Sequence, residues 1–231
     1  MRRFSLAFLM VMLWAASASA QRRPRIYSSG PDTWISGSVA GFRANAVNDG
    51  STGSTWDFGS STNLQYRASL EKAMSGGLSF GIAGSYANVP FVYYGDLAVP
   101  LPSGVDGARC DAGGCNAHLN LVTLVGTFHY GSGLGLHQVV ELGGGIVAYQ
   151  NLKRDSDGAK LAGGGNIDPL VSLDYGFGYG INDRTNIDVV WDYGIALHER
   201  NGLSNGVSNT NTMPGLRIQL RMGFGGGSYR R

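Results

Sequence analysis

Eight charged residues fall on the face opposite the apolar one in several alternating segments of the chain: Arg67, Glu71, Glu141, Asp174, Asp188, Asp192, Arg217 and Arg221. The chemistry open to such a set is ion pairing away from water. An unpaired buried charge costs several kcal/mol, so guanidinium and carboxylate groups that share an interior are expected to find each other. Bidentate arginine–carboxylate geometry suits a crowded site. Histidines add a second possibility. His118, His129, His137 and His198 fall in different segments, and His198, Glu199 and Ser204 come close together at the base of a polar stretch. Covalent catalysis needs a nucleophile, a base and an orienting group in contact. A histidine with polar neighbours at the end of a strand reads instead as a solvated rim residue, and no catalytic residue is assigned.

Cys110 and Cys115 are the two cysteines, on either side of Asp111-Ala112-Gly113-Gly114. In an exported chain such a pair reads as a disulfide. A metal site built from Cys110, Cys115 and His118 would lack a good fourth ligand. The Gly-rich run Gly158 to Gly165 lacks the Gly-Lys-Ser/Thr ending of a phosphate loop, and no helical pattern follows it. Asp155-Ser156-Asp157-Gly158 has acidic residues at calcium-loop spacing but no distal glutamate, and Asn48 to Asp57 is similar. Both read as ordinary loops. No metal and no cofactor is expected.

The elements that would carry the charges are strands. Side chains alternate faces along a strand. Leu216, Ile218, Leu220, Met222 and Phe224 alternate with Arg217, Gln219, Arg221 and Gly223. The same period of two marks Thr33–Arg43, Thr62–Lys72, Leu78–Tyr94, His118–Tyr130, Leu134–Gln150, Ile167–Tyr179 and Thr185–His198. In the first of these, Ile35, Gly37, Val39 and Gly41 share a face. In the third, the phase is expected to shift near Asn88 to Pro90. The connections alternate long and short. Ala44–Ser61, Gly95–Asn116, Asn151–Asn166 and Glu199–Met213 are long loops, and Ala73–Gly77, Gly131–Gly133 and Gly180–Arg184 are tight turns. About eight strands in this rhythm predict an all-β, antiparallel, up-and-down transmembrane barrel with long extracellular loops and short periplasmic turns. A soluble lipocalin-like barrel would turn the same apolar faces inward.

Arg2-Arg3, the apolar run Phe4–Ala16 and Ala18-Ser19-Ala20 predict a cleaved signal over residues 1–20. Residues 21–32 then form a periplasmic lead, 33–226 the barrel and 227–231 a short tail. No later stretch reaches about 18 continuous apolar residues, so no transmembrane helix is expected. Gly is abundant (37) and Pro scarce (7), and the net charge is only +2, which gives no nucleic-acid signature.

On the strand rhythm and the aromatic-ended tail Leu216–Phe224, the chain resembles the small outer-membrane β-barrels of the OmpA membrane-domain, OmpX and opacity type. The resemblance implies a bacterial outer-membrane location, outer-membrane lipids with lipopolysaccharide and the barrel-assembly machinery as partners, and loops at the cell surface. The chain continues beyond the aromatic residue through Gly225 to Arg231, unlike members that end on it. The function expected is non-enzymatic, with surface loops for adhesion, protection or envelope integrity and an extracellular ligand that is unknown. The alternative is a narrow channel for small or apolar solutes. A lipid-modifying enzyme and a soluble periplasmic binder are the remaining readings. The luminal parity is expected to hold the charged residues as a packed network, with Asp192 level with Arg221 and with Arg67 and Asp174 near mid-height.

Overall fold

The computed structural model describes residues 30–49, 52–95, 97–98, 100–101, 103–110, 113–163, 167–198 and 210–226. The expected signal, most of the lead and the tail at 227–231 lie outside these residues, as do Glu199 and Ser204. Residues Gly30–Gly225 form one compact unit. No helix among the described residues is long and apolar enough to cross a membrane.

The described residues contain ten strands: β1 Thr33–Phe42, β2 Val47–Asp49, β3 Ser54–Asp57, β4 Asn63–Ala73, β5 Leu78–Gly95, β6 Cys115–Tyr130, β7 Gly135–Arg154, β8 Ile167–Asn182, β9 Thr185–Leu197 and β10 Thr210–Phe224. Eight of them, all but β2 and β3, make a closed antiparallel barrel. Closure is made by β1 against β10, from Thr33 opposite Phe224 to Phe42 opposite Gly215, and by β5 against β6. Closing the sheet leaves no unpaired edge, which is what a strand structure needs in hydrocarbon.

The parity of every wall strand is consistent. Ile35, Leu64, Tyr66, Leu70, Phe80, Ile82, Leu124, Phe128, Leu142, Leu173, Phe177, Trp191, Ile218 and Met222 all point outward and are exposed. Arg217, Arg221, Glu71, Glu141, Asp174 and Asp188 point inward and are fully buried. A barrel in water would bury the first set and expose the second. With the apolar side chains outward in a band, the fold is transmembrane, and the soluble alternative fails on this orientation.

The strands are longer than a membrane crossing requires. About 9–11 tilted residues span the hydrocarbon, whereas β5 has 18 residues and β7 has 20. The surplus lies at the end carrying the long loops. There the polarity of the wall inverts. Outward positions become Asn88, Asn116, Asn120, Gln150 and Lys153, and inward positions become Val89, Phe91, Leu119, Leu121 and Leu152. Water outside calls for an apolar inside, as in any soluble sheet. This corrects the expected phase shift near Asn88–Pro90. The side-chain phase is unbroken, with Ala87, Val89, Phe91 and Tyr93 all inward; the surrounding solvent changes.

The first long connection is also more ordered than a loop. β2 and β3 form a hairpin, and β3 pairs with the top of β5 from Ser54 opposite Gly95 to Asp57 opposite Val92. This continues the wall above β4 and carries Trp56 inward. The third connection is shorter than expected, because β7 runs on to Arg154 and bridges back through Lys153 opposite Lys160. β10 likewise begins at Thr210, six residues before the alternating tail was expected to start.

Candidate functional site

The interior near the short turns is a linked set of ion pairs. β4 supplies Arg67 and Glu71, β7 supplies Glu141, β8 supplies Asp174, β9 supplies Asp188 and Asp192, and β10 supplies Arg217 and Arg221. Arg221 Nη2 donates to Glu71 Oε2 at 2.6 Å and to Ser79 Oγ at 3.0 Å, and its guanidinium lies 4.8 Å above the Trp34 ring. Ser69 and Ser79 hydroxyls also donate to Glu71, at 2.7 and 2.6 Å. His129 lies between this pair and the next one. Its Nε2 is 2.8 Å from Arg221 Nη1, and its Nδ1 is 3.3 Å from Glu141 Oε2. Glu141 is the hub, since Arg67 pairs directly with its Oε1 and Arg217 approaches the same oxygen at 3.5 Å. Arg217 also faces Asp174 at 3.4 Å and Asp192 at 3.3 Å.

The partners therefore differ from the expected ones. Asp192 is not level with Arg221. In the β9–β10 register Asp192 stands opposite Gly215 and Arg221 opposite Asn186. Arg217 takes Asp192, and Glu71, which arrives from β4 across the barrel seam, takes Arg221. Arg67 and Asp174 do meet the same cavity at mid-height. This cavity, of about 50 Å³, is also lined by Gln65, Ser85, Thr123, Ser172 and Asp192 below and by Phe42, Leu170 and Met213 above. It has room for a few water molecules.

Above the cavity the interior is an apolar core. Trp56, Phe58, Phe91, Tyr93, Leu119, Tyr149, Leu152 and Leu161 fill it, with the Trp56 and Tyr149 rings edge to face at 5.5 Å. A buried histidine–aspartate pair is set into it. His198 Nδ1 lies 2.7 Å from Asp168 Oδ2, and the ring packs 5.2 Å from Trp56. His198 was expected on a solvated rim, but it is buried, because β3 folds Trp56 over it. Trp56 and Asp168 come from segments far from His198 in sequence, so neighbouring residues gave no sign of this.

The remaining candidates separate. Cys110 and Cys115 are joined by a disulfide with Cα atoms 5.8 Å apart. This removes both thiols from any metal set. His118 instead lies 2.6 Å from Asp155 on the surface. Asp157, in the turn after β7, accepts from Arg154 at 2.9 and 2.6 Å, and that contact holds its carboxyl low, at about 2. Asn48 to Asp57 is occupied by the β2–β3 hairpin. His137 sits near the short-turn end, 3.9 Å from Asp188. Among the described residues no serine or threonine hydroxyl is hydrogen-bonded to a histidine.

No protein-family model and no curated protein sequence matches the chain. Among solved structures it is similar to neisserial surface protein A (NspA), at 12% identity over 84% of this chain and 97% of that one, with a TM-score of 0.45. It is similar to the outer membrane protein OprG from Pseudomonas aeruginosa, at 13% identity, the same shares of the two chains and a TM-score of 0.47. It is also similar to Ail, the attachment invasion locus protein of Yersinia pestis, at 10% identity over 84% and 99%, with a TM-score of 0.39. The likeness concerns the barrel fold and nothing finer.

Proposed function

We propose that this protein is an integral barrel of the bacterial outer membrane, non-enzymatic, whose long connections form a rigid platform at the cell surface for adhesion, protection or envelope integrity. The short turns then face the periplasm. The observation that carries the reading is the filled interior. An ion-pair network occupies the membrane-level half, an aromatic core occupies the half beyond it, and a cavity of about 50 Å³ lies between them. An eight-stranded barrel is just wide enough for side chains to fill. The β2–β3 hairpin and the Cys110–Cys115 bridge support the platform, because they stiffen two of the long connections. Lipopolysaccharide and phospholipid surround the apolar band, and the barrel-assembly machinery inserts the chain.

Reconstitution of the purified barrel into planar bilayers tests this. The expected outcome is little conductance. A stable, large ion-conducting state would remove the platform reading and establish a channel for small solutes.

A further inference from the structure

The charged groups of the membrane-level interior do not balance. Three arginines face five carboxylates, so with neutral histidines the set carries an excess of two negative charges. Glu71, Glu141, Asp174 and Asp192 each have a guanidinium within ion-pair distance. For Asp188, the ion-pair neighbour among the described residues is His137 alone, at 3.9 Å. Asp188 is 0% exposed and neither of its oxygens has a hydrogen-bond partner. A buried carboxylate in that position requires a cation or a proton.

The surroundings favour a cation. Asp188 and His137 flank Gly178 at one level, on β9 and β7 on either side of β8. Gly178 has no side chain between them, and a Cβ there would run into both Asp188 Oδ1 and His137 Nε2. His137 Nδ1 is 3.0 Å from the Gly135 carbonyl oxygen. A carbonyl only accepts, so Nδ1 carries a proton, and in the neutral ring Nε2 then turns a lone pair toward Asp188. A backbone carbonyl holding the far nitrogen is the arrangement that fixes metal-binding imidazoles. Two lone-pair bearers 3.9 Å apart are too distant to hydrogen-bond. An ion whose bonds to nitrogen and oxygen are about 2.0–2.2 Å can span the gap between them once the two groups draw slightly together. Asn186, two residues away on the same face of β9 and 1% exposed, leaves both amide atoms without partners.

We propose that His137, Asp188 and Asn186 bind a divalent transition-metal ion inside the barrel, entered from the short-turn end, where His137 keeps 14% of its side chain exposed. One imidazole with two oxygen donors suits a first-row ion such as zinc, cobalt or nickel better than calcium or magnesium. A single divalent ion also offsets the excess of two negative charges. A second cluster, Glu71, His129 and Glu141, brings its ligand atoms within 4.8 Å of one another. It does not carry the same inference, because Arg221 and Arg67 already occupy those atoms.

Cobalt(II) is the probe. The mature, untagged barrel is purified in detergent micelles, with folding verified by heat-modifiable migration, and titrated while visible absorption is recorded. The expected result is saturation at one cobalt per barrel, displacement by zinc, and unchanged binding in His118→Gln. Binding falls at least tenfold in His137→Gln, Asp188→Asn and Gly178→Ala. If Asp188→Asn does not fold, His137→Gln at the partly exposed position decides. Absence of saturable binding in the wild type overturns the site, as does full binding in His137→Gln. A wild type that binds no cobalt but melts with a histidine-range pH dependence, lost in His137→Gln, overturns it in favour of a proton-held pair.

Discussion

Removing the guanidinium of Arg221 is expected to harm the barrel more than removing both Arg221 and its partner. Arg221 is 0% exposed and Glu71 1% exposed, and they meet at 2.6 Å. Breaking a buried pair from one side costs roughly 3–5 kcal/mol, chiefly because the surviving charge has no counter-ion. Glu71 keeps two hydroxyl donors, Ser69 and Ser79, so the lower end of that range applies to Arg221→Met, about 3 kcal/mol. In Arg221→Met combined with Glu71→Gln no lone charge remains. What is lost then is the packing over Trp34 and the contact with His129, worth about 1–2 kcal/mol together. Adding Glu71→Gln to Arg221→Met is therefore expected to restore about 1–2 kcal/mol, the difference between these two costs. The assay is equilibrium urea unfolding of the four proteins of the cycle in lipid vesicles. A double variant no more stable than Arg221→Met would refute the reasoning, and so would a coupling as large for Arg221 with Asp192 as for Arg221 with Glu71.

Trp56→Ala should lower stability by about 3–5 kcal/mol, since it empties the centre of the aromatic core; a loss below about 1 kcal/mol in the same urea assay would mean that this core contributes little. The orientation can be read by thiol labelling of intact cells after replacing the native cysteines: Ser156→Cys, on the exposed turn after β7, should react and Ser132→Cys should not, and the opposite pattern reverses the proposed topology. Asp49, the last residue of β2, is buried and so unsuited to this test. Mass spectrometry of the protein extracted from cells should find Cys110 and Cys115 linked, and two free thiols would contradict the bridge. Asp157 has a carboxyl depressed to about 2 by Arg154 and the Ala159 amide. Its contribution to the turn is thus complete above the ordinary carboxylate range and lost as pH falls through about 2. An NMR titration midpoint near the unperturbed value of about 3.9 would show that the contact does not form in solution.

Much of the architecture is legible one strand at a time. Alternation is a local property, so Arg217 and Arg221 declare themselves inward as soon as Leu216, Ile218, Leu220 and Met222 are read as the lipid face. The order of long and short connections then gives an up-and-down barrel. Pair identity is not local. Asp192 and Arg221 lie on adjacent strands, but the register sets them several residues apart, and the partner of Arg221 is Glu71, 150 residues away, brought in over β1 by closure of the barrel. Burial of His198 depends on the same kind of long-range contact, through Trp56 and Asp168. The site at His137 and Asp188 depends on a glycine on the strand between them, whose missing side chain has meaning only once three strands stand side by side. Nor does alternation say where the membrane stops. Val89 and Phe91 follow the same period as Ser79 and Ser85, and only the height of each residue in the closed barrel decides whether the inward face must be polar, beneath lipid, or apolar, beneath water.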